Sequence, residues 1–238
     1  MRFARSIPQI RQDAADKKWY NLAEVEGMQT LHIYDEIGYW GITASSLVKD
    51  LASLGGKDLT VHMNTPGGEV FDGIAIYQGI KNYSGYVTMI VDSLAASIGS
   101  VIAMAGDKVV MAKNATMMVH EGHTVCAGNA AEMQHKAMQL DNASANIASI
   151  YAEKAGGTTD KWREYMRAET WFNADEAVRV GLADEIQGQS DATTDAFDLS
   201  MYNYSGRFYA PSPVLDVQEK DTPIDWETVS QSMKGVFK

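Results

Sequence analysis

The chemistry of this chain centres on Ser97, which lies in the small-residue run Asp92-Ser93-Leu94-Ala95-Ala96-Ser97-Ile98-Gly99-Ser100. A strand-like stretch at residues 87–91 precedes the serine, and a compact apolar helix is expected from about residue 96 to 104. A strand that turns sharply into a helix on small residues exposes a hydroxyl at the helix start, where the helix dipole favours negative charge. The alanines before Ser97 and Gly99 after it leave room for a peptide backbone. The N–H of Ile98 would point at an oxyanion forming on a substrate carbonyl. A serine at a helix start is also an ordinary N-cap, so its partners decide its role.

The loop Asn64-Thr65-Pro66-Gly67-Gly68 follows another strand-like stretch. A Pro-Gly-Gly turn frees backbone N–H groups and carries no side chain to obstruct a bound peptide, so it offers a second oxyanion donor. Loops at the C-terminal ends of neighbouring parallel strands share one crevice. His120 ends the apolar run Met117-Met118-Val119, so it is presented at a strand end, where a neutral imidazole can take the proton of a serine. His123 is a near competitor. A carboxylate should hold the imidazole tautomer, and the residues alone leave Asp92, Glu121, Glu169, Asp175 and Asp184 open. The spacing in His120-Glu121-Gly122-His123 is not the i, i+4 pair that sets two histidines on one helix face. No metal and no cofactor is expected.

These groups need a scaffold of β-α-β crossovers, and strand-like and helix-like segments alternate from about Trp19 to Gln187. Strands are expected at residues 28–33, 58–63, 87–91, 108–112 and 115–119. Helices are expected at 43–54, ended by Gly55-Gly56, and at 71–82, where Ile74, Tyr77 and Ile80 fall at helical spacing. One long helix spans 129–155. Its Met133, Ala137, Leu140, Ser144, Ile147 and Tyr151 recur in steps of four and three, a narrow seam that packs either on another helix or on the chain's own sheet. After Asp184-Glu185-Ile186 the chain turns small and polar. The expected organisation is an N-terminal segment, residues 1–18, a catalytic domain, residues 19–187, and an acidic C-terminal tail, residues 188–238.

With 238 residues, 45% hydrophobic and 21% charged, the chain has the makeup of a packed globular protein. A net charge of −11 argues against nucleic-acid binding, which rests on lysine and arginine neutralising phosphates. The single cysteine, Cys126, forms no internal disulfide and fits a reducing compartment. Residues 1–18 carry Arg2, Arg5, Arg11, Lys17 and Lys18 but no apolar run of the kind a signal peptide has, and no stretch is long enough to span a bilayer. A cytoplasmic location without membrane contact is expected.

Four motifs occur in order: Asn64-Thr65-Pro66-Gly67-Gly68, Ser93-Leu94-Ala95-Ala96-Ser97-Ile98-Gly99, Met118-Val119-His120, and Phe172-Asn173-Ala174-Asp175-Glu176-Ala177-Val178 with Gly181-Leu182-Ala183-Asp184. Together they resemble the proteolytic subunit family of the Clp protease over roughly residues 19–187. The resemblance implies an α/β fold of the ClpP/crotonase type with a long protruding handle helix, and a serine endopeptidase. It puts the nucleophile on Ser97, the base on His120, the acid on Glu169, and the oxyanion hole on the N–H groups of Gly68 and Ile98. It also implies a homo-oligomeric ring in which the seam of the long helix faces a symmetry mate.

The chain departs from the family pattern in three places. Glu169 stands where the family usually has aspartate, Asp92-Ser93 where glycine is usual, and Glu121-Gly122-His123 where Gln-Pro is usual. With the tail, these departures are more like the phage head maturation branch. That branch implies capsid or scaffold proteins as substrates, in the host cytoplasm or procapsid. The acidic composition of the tail after a polar linker makes it a candidate for removal or repositioning during maturation. The alternatives are a housekeeping ClpP paralogue degrading proteins with an AAA+ unfoldase, a non-catalytic capsid-assembly scaffold, and a crotonase-type acyl-CoA enzyme.

Overall fold

Alternating burial marks the central strands. Leu59, Val61 and Met63 are buried while Thr60 and His62 are only partly so, the period of two that sends successive side chains to opposite faces of a sheet. The computed structural model describes residues 20–25, 28–38 and 44–188. In chain order the elements are β1 (Tyr20–Val25), β2 (Met28–Ile33), α1 (Ala44–Ala52), β3 (Leu59–Thr65), α2 (Val70–Lys81), β4 (Val87–Ala96), α3 (Ile98–Ala103), β5 (Lys108–Ala112), β6 (Thr116–Val119), α4 (Ala130–Ala155), α5 (Thr159–Arg167), β7 (Thr170–Asn173), α6 (Ala174–Val180) and β8 (Glu185–Gln187). The expected segments 1–18 and 188–238 lie outside the described residues, apart from Gly188.

The strands form one mixed sheet in the order β1-β2-β3-β4-β5-β8, parallel from β2 onward, with β1 antiparallel at one edge. Parallel register stacks buried residues into rows across it. Leu31, Val61, Met89 and Val109 form one row and Ile33, Met63, Val91 and Met111 the next. Leu47 and Leu51 of α1 and Ile76 and Ile80 of α2 join the same core. Each such side chain contributes about 1.5–3 kcal/mol of burial. The α/β crossover architecture read from the alternating segments is the one observed.

The sheet forks at β4. Along Thr88–Val91 this strand pairs with β5, and from Leu94 to Ala96 it pairs with β6 instead, which in turn runs antiparallel to β7. The strand expected at 87–91 therefore does not end there but continues to Ala96. Small residues of low β propensity stay extended there because β6 takes up their backbone groups. The helix that follows is correspondingly shorter, Ile98–Ala103. The fork brings the ends of β4 and β6 side by side, which is what the site requires.

The long helix is present, started by a reciprocal capping box between Asn129 and Glu132 and ended at Gly156. Its seam is divided. Ser144, Ile147 and Tyr151 are buried against the chain's own core, Leu140 is half-buried, and Met133, 49% exposed, and Ala137 stand out from it, with the neighbouring Met138 62% exposed. A 26-residue helix is about 39 Å long, so its first turns outrun the body beneath. No helix among the described residues is long and apolar enough to cross a membrane.

Two stretches of the fourth sequence motif serve the fold. Asn173 caps α6 and Glu176 bonds back to the Asn173 N–H, a second capping box, with Gly181 closing the helix in the left-handed conformation. Asp184 holds the start of β8 to β5: its N–H donates to the Val109 carbonyl (2.7 Å) and its Oδ2 accepts from the Val109 N–H (2.7 Å).

Candidate active site

Ser97 sits between β4 and α3 with φ 55° and ψ −128°. Only it and Glu169 have positive φ among the described non-glycine residues. Such a conformation costs about 1–3 kcal/mol and persists only where its surroundings enforce it. Here the Ser97 N–H donates to the Met118 carbonyl (3.0 Å), and the Ser97 carbonyl accepts from the Ser100 N–H (3.0 Å). Ser100 Oγ lies 2.6 Å from the Ser97 carbonyl, 2.9 Å from the Met118 carbonyl and 2.8 Å from the Tyr151 hydroxyl. Burial raises the Tyr151 pKa and keeps its phenol protonated, so the α4 hydroxyl can donate to Ser100 while Ser100 donates to a carbonyl. Ser100 and Tyr151 are the residues that sequence reasoning missed. Ser100 is one helical turn beyond Ser97, but Tyr151 is 51 residues beyond Ser100 and gives no local signal.

Because β6 takes the N–H of Ser97, the next one, on Ile98, opens α3 and has no acceptor within that helix. The β3–α2 loop presses against this elbow. A Cβ on Gly67 would come 2.7 Å from Ser97 Cβ and 3.3 Å from the Ile98 nitrogen. Gly68, at φ 147°, runs alongside Ile37, whose carbonyl would overlap any Cβ there. Both glycines are required by close approach as much as by backbone angle.

His120 follows the last residue of β6, and its Nε2 lies 2.7 Å from Ser97 Oγ. Burial, reinforced by the His123 ring 5.3 Å away, pushes the His120 pKa down to about 4. The imidazole is therefore neutral at pH 7, with Nε2 able to accept the hydroxyl proton. The rate of Ser97 modification by a fluorophosphonate should accordingly fall on acidification with a midpoint near pH 4, not at the 6.5 of an ordinary histidine. Stability follows the same sign. Between 6.5 and about 4 the unfolded chain binds this proton more readily than the fold does, so the contribution is full above 6.5 and is lost as pH falls toward 4. Urea midpoints across that window check it.

The carboxylates left open by the sequence are separated by their surroundings. Asp92 accepts from the Tyr34 hydroxyl (2.7 Å) and faces His62 Nδ1 (2.9 Å). Glu121 is paired with Arg163, Asp184 holds β8, and Asp175 is exposed in the first turn of α6. Glu169 is different. The antiparallel register of β6 and β7 ends on Val119 and Thr170, so His120 and Glu169 are the next residues on the two strands. Glu169 is 8% exposed, at φ 48°, and its Oε1 accepts from Trp171 Nε1 (3.2 Å). The structure thus brings Ser97 and His120 into hydrogen-bond contact and sets Glu169 at the neighbouring position, bonded to an indole.

A forked α/β sheet that sets a serine on a strained strand-to-helix elbow against a buried neutral histidine defines a serine hydrolase. Residues 26–190 match the family model of the Clp protease, more than half of the 238 residues. The chain belongs to the Clp protease family and is a serine-type endopeptidase. It is 29% identical to the ATP-dependent Clp protease proteolytic subunit of Deinococcus radiodurans over 153 residues, covering 62% of this chain and 75% of the relative. It is 31% identical to the subunit of that name from Bacteroides fragilis over 134 residues, 55% of this chain and 64% of the relative, which is under two thirds of the relative's length. With ATP-dependent Clp protease proteolytic subunit 1 of Streptomyces coelicolor it shares 31% identity over 147 residues, 61% and 66% of the two chains.

Proposed function

We propose that the chain cleaves protein substrates with Ser97 as nucleophile, His120 as general base and Glu169 as the carboxylate that orients the imidazole. The observation that carries this reading is the 2.7 Å contact between His120 Nε2 and Ser97 Oγ. Ser97 Oγ attacks the scissile carbonyl carbon while its proton passes to His120 Nε2. The oxyanion accepts from the N–H groups of Gly68 and Ile98. Collapse breaks the C–N bond, His120 returns the proton to the leaving amine, and water, deprotonated by the same imidazole, releases the acyl group. Glu169, next to His120 in the register of β6 and β7, orients the imidazole by accepting from its Nδ1–H.

The substrates in this reading are capsid or scaffold proteins processed during phage head maturation, in the host cytoplasm or procapsid. Its support is the set of departures at Asp92-Ser93, at Glu121-Gly122-His123 and at Glu169. Assembly as a homo-oligomeric ring is supported by the exposed Met133 and Met138 on the protruding turns of α4. A second reading, degradation together with an AAA+ unfoldase, is favoured by the words "ATP-dependent" in the relatives' names. Incubating wild type and Ser97→Ala with purified procapsid proteins, without any ATPase, and mapping the products by mass separates the two. Cleavage at defined sites by wild type alone supports head maturation. Cleavage only after addition of an ATP-driven unfoldase supports the second reading.

A further inference from the structure

Beyond Val119 the chain leaves the β6 ladder, and the segment that starts with His120 has to be held by other means. Its anchors converge on α4 and α5. Arg163 of α5, only 9% exposed, donates from Nε to Glu121 Oε1 (2.8 Å), from Nη2 to Asp141 Oδ1 (2.7 Å) and from Nη1 to the Asp141 carbonyl (3.3 Å). The Glu121 N–H donates to the Met166 carbonyl (3.2 Å), and the Gly122 N–H to Ser144 Oγ of α4 (3.1 Å). Arg167 Nε approaches Glu121 Oε1 at 3.6 Å.

We propose that Arg163 is a positioning residue for the peptidase reaction, acting through Glu121 to hold His120 against Ser97 and through Asp141 to tie that loop to α4. It rests on the reading of Ser97 and His120 as nucleophile and base. The planar guanidinium bonds two carboxylates in fixed directions, a fork that lysine cannot reproduce. It also cancels the charge of Glu121, the residue adjoining the base. Among the described residues, Ser97 and His123 lie against His120, and Glu169 is its neighbour in register on the β7 side. Asp141 belongs to the same helix as the exposed Met133 and Met138.

The test uses the full chain and the second-order rate of fluorophosphonate labelling against pH, which needs no knowledge of the natural substrate. Arg163→Met is expected to slow labelling about 10–100-fold, because small misplacement of a catalytic group costs up to about that much. It should also move the acid limb to higher pH, because the carboxylate of Glu121, next to the base in the chain, then keeps only Arg167 Nε, at 3.6 Å, as a counterion among the described residues. Arg163→Lys should restore the acid limb but not the rate. Glu121→Gln, at a partly exposed side chain, should slow labelling comparably without the upward shift, and the Arg163→Met/Glu121→Gln double variant should be no slower than Arg163→Met. If Arg163→Met does not fold, Glu121→Gln and Asp141→Asn decide. Folded variants with wild-type rate and acid limb overturn the inference. Labelling that survives in Ser97→Ala would instead overturn the assignment of the nucleophile, a separate failure.

Discussion

Replacing Ser97 with alanine is expected to lower turnover by about a million-fold, to the rate left to oxyanion stabilisation and binding alone. The same loss is expected for His120→Ala, and the double variant should be no worse than either. Non-additivity of this kind is what a dyad working as one unit produces: with Nε2 2.7 Å from Oγ, neither group has chemistry to do without the other. Glu169→Gln serves as the graded comparison. An amide in place of the orienting carboxylate favours the wrong imidazole tautomer, and a loss of up to about 10⁴-fold is expected. Turnover measured on a cleavable peptide, with circular dichroism to show that each variant folds, decides the set. Full activity in Ser97→Ala would remove the serine mechanism, and full activity in Glu169→Gln would remove only the third member.

Gly67→Ala should be the most damaging change outside the triad. Its Cβ would meet Ser97 Cβ at 2.7 Å and the Ala96 carbonyl at 2.8 Å, both on the elbow, and its φ of 101° disfavours any L side chain. Something must move, and the neighbours available to move are the nucleophile and the backbone that aims it. A loss of about 100-fold or more in turnover is expected, since displacements near 1 Å reach that size, together with about 1–3 kcal/mol of stability. Gly55→Ala is the control. Gly55 also has positive φ, 67°, but nothing lies within 4 Å of its added Cβ. It should cost about 1–2 kcal/mol from backbone angle alone and leave turnover unchanged. Urea midpoints and turnover on the two variants separate backbone strain from steric displacement; wild-type turnover in Gly67→Ala would contradict the packing of the loop on the elbow.

What the sequence determined by itself is what can be set within a few residues of chain. Strand and helix periods, the glycine pair after Pro66, the span of the long helix from Asn129 and the serine among small residues all act locally, and so does a histidine at the end of an apolar run. Each is legible because burial period and backbone freedom are properties of neighbouring residues. The tertiary structure decided which distant groups meet. Asp92 is as near to Ser97 in sequence as any carboxylate, yet the sheet face on which it stands gives it to Tyr34 and His62, while the register of β6 and β7 sets Glu169 beside His120. It also decided that the seam of α4 is half core and half exposed, because the length of the helix exceeds the body beneath it. The fork in β4, the support of Ser97 by Tyr151 and the Arg163 link join elements far apart in the chain. Pairing of that kind depends on register and packing, which no local pattern of residue types encodes.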